Sequence, residues 1–102
     1  MSTKIKTLEE LVPLVNAIRA DGKRIALCHG IFDLLHPGHI KHFAAARREG
    51  NVLIVSVTPD EHVHRAPDRP IFSQDLRVEV LAALEDVNFV VLNQQPTAVE
   101  VI

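Results

Sequence analysis

The chain has no tryptophan and no tyrosine, and four phenylalanines are its only aromatic residues besides histidine. That argues against a stacking platform for single-stranded nucleic acid, which needs several aromatic faces beside a basic groove. A net charge of −2, from 11 Lys and Arg against 13 Asp and Glu, points the same way, so no nucleic acid is expected as a partner. A single cysteine, Cys28, excludes an internal disulfide framework. No apolar run approaches the ~18 residues of a membrane helix, and Met1-Ser2-Thr3-Lys4 carries no signal-peptide pattern. The expectation is a cytoplasmic protein without a membrane partner.

What is present suits an ordinary folded unit: 47% of the 102 residues are apolar, enough for one core, and no repeat, linker or low-complexity stretch divides them. Residues 1–102 read as a single domain. The elements alternate helix and strand, which implies right-handed βαβ crossovers and a parallel sheet covered on both faces. The first helix is carried by Leu8, Leu11, Val12, Val15 and Ile18, opened by a Thr7 to Glu10 capping box and closed at Gly22. Pro13 within it predicts a kink or an offset first turn. Its apolar stripe serves packing on the sheet or a partner surface. Arg24 to His29, Val52 to Val57 and Val87 to Leu92 read as three strands. Ser73 reads as the N-cap of a helix with Leu76, Val80, Ala83 and Leu84 on its apolar face and Arg77 on another.

Between the first strand and the next helix lies Gly30-Ile31-Phe32-Asp33-Leu34-Leu35-His36-Pro37-Gly38-His39. With His36 as N-cap, Pro37 takes the first helical position, where its missing N–H costs nothing, and Gly38 leaves room for a ligand. A helix N-terminus offers free N–H groups and a positive dipole end, and two imidazoles add donors, so the turn is built to meet phosphate. The other reading of H-x-x-H is a metal site, for which His29, His42, His62 and His64 supply no recognisable zinc spacing.

This string resembles the HxGH signature of the cytidylyltransferase-like nucleotidyltransferases, including its preceding G-x-F-D turn. The resemblance extends through Asn51 to Asp60, Arg69-Pro70 and Leu81 to Val91, closest to the glycerol-phosphate and heptose-phosphate branches. It implies a Rossmann-like three-layer α/β/α fold with about three strands present here. It also implies nucleotidyl transfer from CTP or ATP to a phosphorylated sugar or polyol, with Mg²⁺ bound alongside the triphosphate and pyrophosphate released. His36 and His39 are then catalytic. Gly30, Ile31, Phe32, Asp33, Gly38 and Arg77 would bind nucleotide, and Arg69 the substrate phosphate. The resemblance places Arg65 with His36 and His39 as catalytic, where relatives carry a lysine that helps hold the triphosphate and the acceptor phosphate; arginine there keeps the charge but not the mobility. From the residues alone, Arg65 and Arg69 equally suit a solvated loop, Asp33 a turn-former, and Arg77 a salt-bridged surface arginine. Pro96 to Ile102 reads as a new helix start with Thr97 and Glu100 spaced as a capping box, so the chain is expected to be the N-terminal portion of the family fold. A homodimer, or a fused or partner domain, would complete it.

Overall fold

The structure is a computed structural model that describes residues 3–63 and 72–93. In chain order it runs β1 (Ile5–Lys6), α1 (Leu8–Ala20), β2 (Ile25–Gly30), α2 (Pro37–Glu49), β3 (Val52–Val57), a 3₁₀ turn (Asp60–His62), α3 (Gln74–Ala82) and β4 (Phe89–Leu92). The strands form one parallel sheet in the order β1-β4-β3-β2. β3 lies inside it with all six residues buried, which explains its unbroken apolar run. β2 pairs with β3 along its whole length, from Ile25 opposite Val52 to Gly30 opposite Val57.

Two apolar clusters sandwich the sheet. On one face α1 sets Leu11 against Val52, Ile54 and Val91. On the other, Phe43 of α2 and Val78 and Leu81 of α3 pack on Leu53, Val55, Val57 and Val90. The expected α/β/α layering is therefore present, with one strand more than the three expected. β1 leaves no signal in the sequence because two residues carry no periodic pattern and their partners, Val90 and Val91, are distant in the chain. The third expected strand starts two residues late, at Phe89. Asn88 continues the pairing with β3 through its side chain, whose Oδ1 accepts the Leu53 N–H at 2.8 Å.

The capping box of α1 is present in both directions: Thr7 Oγ1 accepts the Glu10 N–H at 3.1 Å, and Glu10 Oε1 accepts the Thr7 N–H at 2.9 Å. Thr7→Ala should lower stability by about 1 kcal/mol, read from the midpoint of urea unfolding with unchanged slope. The helix runs from Leu8 to Ala20 without the offset first turn that Pro13 suggested. Only the bond to the Glu9 carbonyl is lost there, and both residues are exposed, so water can take its place.

α3 corrects a second expectation. Ser73 is its N-cap, but Leu76 and Val80 are half exposed, while Arg77, Val78, Leu81 and Ala82 are buried. Apolar residues stand on several sides of this helix, so periodicity alone does not choose the inner face. The choice is made by Arg77, which finds partners beneath it.

Candidate functional site

β2 ends at Gly30, and the chain turns sharply through Phe32, whose φ of 53° is the one left-handed conformation among the described non-glycine residues. Such a backbone costs on the order of 1–2 kcal/mol for a side chain of this size. The turn is held because the Phe32 ring lies over Gly30, where an added Cβ would come within 2.9 Å of Cζ. The same ring meets Phe43 and His39 edge-on, with centroids 5.4 Å and 5.8 Å away. Glycine at 30 and phenylalanine at 32 are thus one packing unit.

That packing delivers the chain to His36, the N-cap of α2. Its Nδ1 accepts the Gly38 N–H at 3.0 Å, and the Nδ1 of His39 accepts the His36 N–H at 3.2 Å, closing a capping box made of two histidines. A backbone N–H can only donate, so both neutral rings carry their proton on Nε2. The turn therefore presents two Nε2–H donors on rings 4.1 Å apart at a helix N-terminus. Gly38 has a nearer task than leaving room for a ligand. A Cβ there would meet Cε1 of His36 at 2.6 Å, so Gly38→Ala should expel the ring and lose its cap, visible as a shifted His36 imidazole signal and reduced stability.

Burial pushes the His39 titration below the ordinary histidine value, with His36 and then His42 adding to the effect. The folded protein thus favours the neutral ring. Its contribution is complete at neutral pH and is lost as pH falls below the ordinary histidine range. In an NMR titration His39 should titrate low, and His36→Ala should move it back upward.

Beside these rings an open cavity of about 540 Å³ lies over the carboxyl end of β2, lined by His29, Gly30, Ile31, Phe32, Asp33, Leu34, His39 and Val63. Crevices at strand ends are where open α/β sheets bind ligands. Gly30, Ile31, Phe32, Asp33 and His39 are brought together there. His36 and Gly38 do not line it: the cap bonds tie them to one another and to His39, and His36 lines a second open cavity with Leu35, Pro37, Ile40 and Lys41.

Arg77 does not line this cavity. Its guanidinium donates through Nη1 to the carbonyls of Ile31 and Thr58 at 2.7 and 2.8 Å, through Nε to that of Phe72 at 3.2 Å, and through Nη2 to Asp60 Oδ1 at 2.6 Å. It is 2% exposed. The expectation of a nucleotide ligand is corrected here: the fork is occupied in tying the ends of β2 and β3 and the start of α3 together. Asp33 helps from the other side, accepting the Phe72 N–H at 2.9 Å. Arg65, Arg69 and His64 lie outside the described residues, as does the helix expected from Pro96. Val63, which precedes that first segment, lines the cavity.

Sequence reasoning overlooked His29, Val63 and Asp60. His29 has no metal-ligand spacing, but its place at the last positions of a strand beside the turn is a usable signal.

Compared with known proteins, a family model described as cytidylyltransferase-like matches residues 27–100. The "Bifunctional protein HldE" of Trichlorobacter lovleyi is 40% identical over 102 residues, covering 98% of this chain and 21% of that protein. Its namesake in Nitrosococcus oceani is 43% identical over 100 residues, covering 96% and 21%. The chain thus spans about a fifth of the length of these curated relatives. Among solved structures, the lipopolysaccharide core biosynthesis protein from Thermoplasma volcanium GSS1 superposes with a TM-score of 0.70 at 26% identity, over 78% of this chain and 65% of that one. Among the described residues no helix is long and apolar enough to cross a membrane.

Proposed function

Because this chain belongs to the cytidylyltransferase-like family and is of nucleotidyltransferase type, we propose that it takes part in nucleotidyl transfer from CTP or ATP to a phosphorylated sugar or polyol. The name of the similar lipopolysaccharide core biosynthesis protein favours a sugar among these acceptors. The observation that carries the reading is the histidine capping box, which fixes two Nε2–H donors at a helix N-terminus, one of them on His39 in the lining of a strand-end cavity.

An acceptor phosphate oxygen attacks the α-phosphorus, a new P–O bond forms, and the bond to pyrophosphate breaks. His36 and His39 donate to the triphosphate oxygens as charge shifts toward the leaving group, with no reorganisation because their rings are already capped in place. The turn from Gly30 to Asp33 and Gly38 shape the pocket against the nucleotide. Arg65 and Arg69 supply cations for phosphate. Mg²⁺ bound with the triphosphate would neutralise part of its charge.

Calorimetry with ATP and CTP, each with Mg²⁺, together with a pyrophosphate assay across sugar and polyol phosphates, tests this. Binding with pyrophosphate release supports transfer, and absence of binding overturns it. The span of only a fifth of the relatives favours one second reading: a nucleotide-binding portion of a larger enzyme, turning over only beside a partner domain or a second copy. Binding without pyrophosphate release would select it.

A further inference from the structure

The cavity holds a third histidine that the roles above leave unused. His29, next to the end of β2, stands opposite Ser56 of β3, and its Nδ1 lies 2.9 Å from the Ser56 Oγ. Strand alternation puts it on the face of Ile25, Leu27 and Ile54, which α1 covers. His39 reaches the same cavity from α2, on the opposite face of the sheet. Two imidazoles therefore meet the strand end from its two sides.

Their hydrogen bonds differ in kind. His36 and His39 accept from backbone N–H groups, so a proton placed on either Nδ1 breaks the cap. A serine hydroxyl can rotate: Ser56 donates to Nδ1 of a neutral His29 and accepts from Nδ1–H of a charged one. Ser56 is wholly buried, so its hydroxyl serves the ring rather than solvent. Of the three histidines, His29 alone takes up a proton with its hydrogen bond intact. In both of these states its Nε2–H remains a donor. Among the described residues the titratable groups sharing the cavity are Asp33 from the turn and His39 from α2, while β3 offers neutral Ser56 and the end of the 3₁₀ turn offers apolar Val63.

We infer that His29, held by Ser56, binds the dianionic phosphate of the acceptor and takes up a proton from solvent as that phosphate arrives. This rests on the nucleotidyl-transfer reading and deepens it. Attack requires one polyanion to approach another, and a cation formed between them offsets the repulsion. The proton returns to solvent when product leaves.

Sulfate, a dianion throughout, is the probe. The chain is titrated with it at about pH 5.5 and about pH 8, either side of the ordinary histidine range, following the imidazole Cε1–H signals. Sulfate should move the His29 signal and bind about tenfold more tightly at the lower pH, the difference between a charge-assisted and a neutral hydrogen bond. His29→Gln, which can still bond to Ser56, should lose most of that ratio, and Ser56→Ala should lose part of it. A ratio that survives His29→Gln, or a His29 signal unmoved by sulfate, overturns the proposal. Sulfate should also remain at His29 under saturating Mg²⁺-nucleotide, and displacement would assign His29 to the triphosphate instead, overturning it. The two failures are separable: nucleotide that moves the His36 and His39 signals keeps the transfer reading whatever sulfate does. Nucleotide that leaves both unmoved removes that reading and this proposal together.

Discussion

Arg77→Ala should lower the stability of the fold by about 3–5 kcal/mol, the cost of stripping one partner from a buried charged network. Its side chain is 1% exposed, and four of its donors are engaged. Truncation leaves the Ile31, Thr58 and Phe72 carbonyls and one Asp60 oxygen without their donor. Asp60 is 40% exposed and can rehydrate, so the loss falls mainly on the carbonyls. For a domain of this size each kcal/mol shifts Tm by roughly 4–8 °C, so thermal unfolding should move down by well over ten degrees. Arg77→Lys should recover only a small part, because a point ammonium cannot reach four acceptors set around a planar fork. Asp60→Asn should cost less than either. An Arg77→Ala protein as stable as the parent would show that the strut does not hold the two strand ends.

The second large effect is on chemistry. His39→Ala should reduce pyrophosphate release by about 10²–10³-fold, the loss that follows removal of a fixed donor to developing charge. The same change removes the acceptor for the His36 N–H and so costs about 1 kcal/mol of cap. His39→Glu separates the two contributions. A glutamate at the third helical position can still accept the N-cap N–H, so stability should be retained while its charge repels the triphosphate and activity falls at least as far. If the chain binds without turnover, the readout is nucleotide affinity, with the same ordering of variants. An unchanged rate or affinity in both variants would remove His39 from the site.

What could be read from residues was whatever is decided locally. The Thr7 and His36 caps, the proline at the first turn of α2 and the bounds of β3 depend on a few neighbours in the chain and on one periodicity, and they stand as expected. What could not be read depends on distant partners. β1 exists only because β4 lies beside it. The inner face of α3 is set by carbonyls that three separate segments bring under Arg77, a residue whose charge suggested the surface or the ligand. The His29–Ser56 pair needs the register of β2 on β3, which neither strand carries in its own sequence. The site was legible as a motif. Its supports were not.

The position of β1 bears on how the chain comes together in time. Among the described elements Ile5 and Lys6 come first in the chain, yet their partners Val90 and Val91 come after every other one. Pairing across so long a loop is slow, and a nascent chain meets its contacts in order of synthesis. A chain that has emerged from the ribosome through β3 can assemble β2, α2 and β3 into a crossover, while β1 waits for a segment not yet translated. Of the described elements, β1 is the last to find its partner.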